Sequence, residues 1–275
     1  MTRNTDNRKR AFADVVSIDA WHDDFTDELS KVDLHADVVF GSARVGGEPE
    51  SPVRFRLGVR RAEVVVVIPE SEPVSVDRDS VSRDAPEYQG KLTEVVEQTS
   101  QANVKGNVSG SISATGLSGS ATVEAGAQAN VTSTKKLEVS ATVQFMLVTQ
   151  SKTAEGHYRW SVAARADEKL QGRPWDGAKQ PRLRLVDKRK DRTKGIPPTV
   201  RVEVRCRRED LIIQDLGVKD EGLWEEVKSR VGFNNKLVAA ESYIRDRLAE
   251  EGIVVRNIGE LFSQITLGSV TAETT

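Results

Sequence analysis

Val104-Lys105-Gly106-Asn107-Val108-Ser109-Gly110-Ser111-Ile112-Ser113-Ala114-Thr115-Gly116-Leu117-Ser118-Gly119-Ser120-Ala121-Thr122-Val123-Glu124-Ala125-Gly126-Ala127 is the stretch on which the reading of this chain turns. It holds no aromatic residue and no proline, and Lys105 and Glu124 are its only charges. A flexible Gly/Ser linker has this composition, but a linker needs no pattern. Here Val104, Gly106, Val108, Gly110, Ile112 and Ala114 alternate with Lys105, Asn107, Ser109, Ser111 and Ser113. After Thr115-Gly116 the parity flips, and Leu117, Gly119, Ala121, Val123, Ala125 and Ala127 alternate with mainly polar residues.

A two-residue turn at Thr115-Gly116 sets opposite one another residues whose numbers sum to 231, such as Ala114 with Leu117 and Val108 with Val123. Every small or apolar residue then shares one face of a hairpin. Lys105 and Glu124 fall on the other face as diagonal neighbours, within reach of each other across the strands. Because a one-residue slip would mix the faces, the flip of parity specifies the register. Each arm, 104–114 and 117–127, is eleven residues long. A tilted strand crossing a bilayer needs ~9 to 11, with one lipid-compatible face and one that lines water. The expected lipid-facing set is Val104, Val108, Ile112, Leu117, Ala121, Val123, Ala125 and Ala127, and the expected lumen-facing set is Lys105, Asn107, Ser109, Ser111 and Glu124.

Gly106-Asn107-Val108-Ser109-Gly110 and Ala129-Asn130-Val131 resemble the glycine- and asparagine-rich stem of the haemolysin/leukocidin toxins. The alternation runs on through Leu137, Val139, Ala141, Val143, Phe145 and Leu147 and returns after Glu155-Gly156 as Tyr158, Trp160 and Val162. Long strands flanking a Ser/Thr-rich hairpin are similar to the aerolysin and epsilon-toxin group of β-barrel pore formers. The resemblance covers residues 95–165 and is one of pattern. It implies a protein stored soluble that forms a homo-oligomer, with membrane lipid as a partner.

Working outward, the chain has 275 residues, with 36 Val against 17 Leu, a bias toward strands. Residues 1–30 are polar and acidic and read as a tail ending in a short helix or turn. Between 31 and 90, Leu34 to Phe40, Val53 to Val59 and Ala62 to Ile68 read as strands of a β-sandwich-like part. Val53-Arg54-Phe55-Arg56-Leu57-Gly58-Val59 alternates, as a strand with one wet face does, whereas Val64 to Ile68 is wholly apolar and predicts cover on both faces. Residues 91–209 form a long-stranded part with the projecting hairpin at 103–131. In 210–275, Leu223, Trp224, Val227 and Val231, then Leu237, Val238, Tyr243, Ile244 and Leu248, recur at helical spacing up to Gly252 and predict two helices. The expected fold is mainly β: a sandwich-like part, a long-stranded central antiparallel sheet with its hairpin, and a short C-terminal helical part.

Charge is nearly balanced, 40 Lys and Arg against 42 Asp and Glu, which does not favour a nucleic-acid partner. Locally, 182–208 holds eleven Lys and Arg against three acids. Arg182, Arg184, Lys188, Arg189, Lys190 and Arg192 are the candidate contacts to an anionic lipid surface, the alternative being a solvated loop and strand face. With Cys206 the only cysteine, no disulfide can form within the chain. His22, His35 and His157 are scattered, and no metal-ligand spacing, phosphate loop or nucleophile elbow is present. Trp21-His22-Asp23 is the nearest thing to a metal or acid/base group. No catalytic residue, metal or cofactor is therefore expected. No conventional secretion signal is visible, so synthesis in the cytoplasm and membrane association after assembly are expected. Two functions stay open: a non-enzymatic pore-forming or membrane-perturbing protein, or a soluble β-rich structural or adaptor protein using the hairpin for self-assembly or partner binding. A hydrolase is a weaker third.

Overall fold

The structure, a computed structural model, describes residues 8–48, 51, 53–83, 90–103, 130–143, 146–164, 169–191, 197–218, 233–255 and 257–275. The chain divides into two compact units, Met1–Tyr88 with Gln144–Thr275, and Gln89–Val143. It is mainly β, as the valine bias and the period of two require.

Among the described residues the larger unit holds three sheets. The first contains, in spatial order, β1 (Arg8–Lys9), β15 (Gln264–Thr271), β13 (Arg201–Arg207), β6 (Arg61–Val67), β11 (Tyr158–Ala164) and β10 (Met146–Lys152). The second contains β16 (Glu273–Thr274), β2 (Val16–His22), β3 (Lys31–Phe40), β12 (Leu183–Asp187) and β7 (Val74–Asp77). β2 lies against β15 and β13, so close that a side chain at Gly268 would meet the Ile18 methyl at 3.3 Å. Val64 and Val65, adjacent in β6, are both fully buried, so this strand is covered on both faces as its apolar run predicts. The third sheet is β14 (Leu211–Val218), β5 (Val53–Val59) and β4 (Ala43–Gly46).

Two long strands pass from the first sheet to the third side by side. β5 runs into β6 across Arg60, and β13 runs into β14 across the 3-10 turn Arg208–Asp210, with the Arg60 N–H donating to the Asp210 carbonyl at 2.8 Å. Helix α1 (Phe233–Glu250) packs on the third sheet, where Phe55 meets Tyr243 edge-on at 5.9 Å. Ala240, Ile244 and Leu248 are its buried stripe, while Val238, expected on the apolar face, is exposed. The helix stops at Gly252, whose φ of 70° is the left-handed conformation glycine adopts without a Cβ penalty. The Ile253 N–H donates to Leu248 and the Gly252 N–H to Ala249, the bond pair of a Schellman cap. The preceding predicted helix, Leu223 to Val231, lies outside the described residues.

Three sequence expectations are corrected. Residues 8–30 are not a tail: β1 pairs with β15, and β2 pairs with β3 with Val16, Ile18, Ala20 and His22 buried. Ser17, Asp19 and Trp21 on the opposite face make the composition look polar while the alternation is that of a core strand. The span 91–209 is not one part, because β10 to β13 belong to the sheets of the larger unit. The span 210–275 also carries β14, β15 and β16 beside its helix.

Candidate functional site

Among the described residues the smaller unit holds two strands, β8 (Gly90–Asn103) and β9 (Asn130–Val143), paired antiparallel over fourteen positions without a bulge. At ~3.4 Å per residue this ribbon is about 45 Å long. Partner numbers sum to 233 from Gly90 with Val143 to Asn103 with Asn130. Along one face run the pairs Leu92–Ala141, Glu94–Val139, Val96–Leu137, Gln98–Lys135, Ser100–Ser133 and Ala102–Val131. The other face starts at Lys91–Thr142, includes Glu97–Lys136, and ends on Thr99–Thr134, Gln101–Thr132 and Asn103–Asn130. Val104, Lys105, Asn107, Val108, Ser109, Ser111, Ile112, Leu117, Ala121, Val123, Glu124, Ala125 and Ala127 all lie between these strands, outside the described residues.

The basic stretch is placed differently from its expected role. Arg182 is buried, its guanidinium 4.3 Å over the Trp175 ring and its Nε and Nη2 donating to the Gln180 carbonyl. It is a core residue, because two tryptophans, Trp160 and Trp175, offer it π faces away from water. Arg184 on β12 donates to Asp33 on β3 at 2.8 Å, and that carboxylate holds the guanidinium pKa above its ordinary value. Arg189 bonds Asp187 at 2.7 Å. Farther along, Arg201 and Arg205 clasp Glu203, Arg207 meets Glu209, and Arg208 joins Glu241 of α1. Of the six candidates only Lys188 and Lys190 are exposed with no side-chain partner among the described residues, and Arg192 lies outside them. A count of charges along a chain does not see that alternate residues of neighbouring strands neutralise one another.

The histidines do not converge. His22 is buried with Nδ1 2.7 Å from the Asp23 carbonyl, and His35 stacks on Trp21 with Nδ1 2.8 Å from the Gly177 carbonyl. Trp21 and His22, neighbours in β2, take opposite faces, so Trp21-His22-Asp23 is not a cluster. Among the described residues no group of three or more His, Cys, Asp and Glu could hold a metal ion. Cys206 is buried in β13, and burial pushes its thiol pKa far up. A groove of about 620 Å³ in the larger unit is lined by Glu48, Tyr243, Asp246, Arg247 and Glu250 among others, and the Tyr243 hydroxyl bonds Glu48 there. It brings together neither a nucleophile with a base nor a ligand set. What stands out is the ribbon.

No family model matches the chain, and no curated protein matches it in sequence. Among solved structures it is similar to the Clostridium perfringens NetB toxin in the membrane inserted form. The match covers 69% of this chain and 83% of the toxin at 8% sequence identity, with a TM-score of 0.23.

Proposed function

We propose that this is a non-enzymatic pore-forming or membrane-perturbing protein, made in the cytoplasm, that assembles into a homo-oligomer through the hairpin carried by the β8–β9 ribbon. One observation carries the reading. Fourteen unbroken antiparallel pairs end at Asn103–Asn130, which flank the segment 104–129 that contains the alternating stretch 104–127. The ladder's sum of 233 and the sum of 231 required by a turn at Thr115-Gly116 are both odd. Either register would set even residues before the turn opposite odd residues after it, and so would keep Val104, Val108 and Ile112 on one face with Ala121 and Val123. A barrel strand needs that segregation, and a two-stranded ribbon alone is at best marginally stable in water, so further strands or a membrane must complete it.

The alternative, a soluble adaptor using the same ribbon for self-assembly, draws on the Ala/Gly/Ser faces, which also suit close sheet stacking. Dye release from vesicles by the full chain and by a form lacking 104–127 separates the two. The pore reading expects release by the full chain only, after proteolytic or acid triggering. No release by the full chain from vesicles of several compositions contradicts it.

A further inference from the structure

We infer that the outer face of the third sheet is an anionic-lipid docking surface, formed by Arg44, Arg54, Arg56 and Lys169. The inference rests on the membrane reading above but concerns residues distant in sequence from the hairpin.

The alternation Val53-Arg54-Phe55-Arg56-Leu57 in β5 puts Val53, Phe55 and Leu57 into the core, with Phe55 against Tyr243 of α1. The even residues are left on the opposite face. In register, β4 brings Arg44 directly opposite Arg56, and Gly46 opposite Arg54. Like charges directly opposite on one sheet face repel, so folding alone gives no reason for an arginine there. On the far side β14 contributes Ile212 and Gln214, opposite Gly58 and Arg56. Lys169 joins the same face: Gly58 has no side chain, and the lysine stem lies where one would be, 3.6 Å from the position of the missing Cβ. Its Nζ reaches the Ser42 hydroxyl at 3.2 Å.

Among the described residues the one acid paired with any of these four cations is Asp215, whose carboxylate is 3.5 Å from Arg56 Nε with both groups well exposed. Such a pair contributes little. Arg44 and Arg54 are exposed with no hydrogen bond or ion pair among the described residues. Glu48, the nearest acid of the β4–β5 connection, is held by the Tyr243 hydroxyl on the helix side of the sheet. The contrast with 182–208 is direct: there most of the described cations are clasped by carboxylates, and here only Arg56 meets one.

The shape selects the ligand. A three-stranded face with arginine positions set about 5 Å apart across strands and about 7 Å apart along one presents long guanidinium arms to a surface of phosphate-bearing headgroups. Single-stranded nucleic acid is held by aromatic stacking platforms in a groove, and no aromatic side chain is on the even positions of β4, β5 or β14.

Flotation with vesicles of phosphatidylcholine, with and without phosphatidylserine, tests this on the full chain, scored as binding and separately from leakage. Wild type should float only with phosphatidylserine and be released by salt. Each arginine neutralised should weaken binding about fivefold, so Arg44→Gln with Arg54→Gln loses about 25-fold while the melting temperature holds. Lys188→Gln with Lys190→Gln should bind like wild type. Equal flotation without phosphatidylserine, full binding by the arginine variant, an equal loss in the lysine variant, or preference for an oligonucleotide over the vesicles each overturns the inference. Binding without leakage leaves the docking face standing and the pore reading failed, and leakage without phosphatidylserine-dependent binding does the reverse.

Discussion

In the body, register partners across β2 and β3 are Val16–Phe40, Ile18–Val38 and Ala20–Ala36, all buried. In the ribbon, partners near the hairpin are Thr99–Thr134, Ser100–Ser133, Gln101–Thr132, Ala102–Val131 and Asn103–Asn130. Both regions are regular antiparallel β-structure. The body has a core made of large side chains from two faces, and its strands stay where that core puts them. The ribbon has length and register, and two strands alone offer little area to bury. Ladder hydrogen bonds alone contribute little net free energy, because water competes for the same groups. A strand pair built this way is suited to exchanging its surroundings, which the body cannot do without unfolding.

That contrast breaks most severely at Trp160. The ring is buried in β11, its Nε1 donates to the Ser82 carbonyl at 2.8 Å, and its face covers Arg182. Trp160→Ala should cost ~3 to 5 kcal/mol in urea unfolding, because it opens a cavity and uncovers a buried cation. Leu137→Ala in β9 should cost less than about 1 kcal/mol by the same measurement. Equal losses would mean that the ribbon owns a core, and the distinction between the regions would fall.

Glu241→Ala comes next. Arg208 and Glu241, both nearly buried, join the 3-10 turn between β13 and β14 to α1 at 2.6 Å. Removing one partner strands the other charge and should cost about 3 kcal/mol. In thermal melts the variant should fall well below wild type, with β8 and β9 amide-exchange rates unchanged. Faster exchange in the ribbon would show that the two regions are energetically coupled.

The third comparison is within the hairpin. Val108→Arg or Ile112→Arg should cost ~2 to 4 kcal/mol near a bilayer midplane and abolish leakage, with no change in the soluble protein's melting temperature. Ser109→Arg and Ser111→Arg should leave leakage intact and alter ion selectivity. A lowered melting temperature for Val108→Arg without membrane favours the adaptor reading.

Much of this was legible in sequence. Val53 to Val59 is β5 to the residue, and Tyr158, Trp160 and Val162 do return as β11 after the Glu155-Gly156 turn. Strand β2 was missed because Asp19 and Trp21 sit on its wetter face, so polarity outweighed a perfectly alternating Val16-Ser17-Ile18-Asp19-Ala20. The basic stretch misled for the reverse reason: Glu203 neutralises Arg201 and Arg205 within one strand, but Asp33 reaches Arg184 and Glu241 reaches Arg208 from far along the chain. The arginine face of the third sheet was half visible as the wet side of β5. Its partner Arg44 could be found only through the β4 register, and Lys169 only through the space above Gly58.

The smallest effect concerns acid. The Lys31 ammonium, 3.2 Å away, and the Asp79 N–H hold the Asp77 carboxyl below its ordinary pKa. A depressed folded pKa gives stability that is present above the unfolded value, at about pH 4, and is lost as pH falls through the lower folded value. Asp77→Asn should flatten that acid limb slightly in pH-dependent melting and leave the neutral-pH leakage unchanged. A steeper limb would contradict the assignment.

The central claim is that alternate residues of 104–127 meet lipid. Cys206 is buried and its thiol pKa is raised, so an introduced cysteine can be labelled selectively in the native protein. Single substitutions such as Val108→Cys, Ser109→Cys, Gly110→Cys and Ser111→Cys, each carrying a polarity-sensitive dye, should on triggered vesicles give emission that alternates residue by residue. Even positions of the first arm should turn apolar and odd positions stay aqueous. Emission that does not change on vesicles, or that changes with no period of two, would contradict the account.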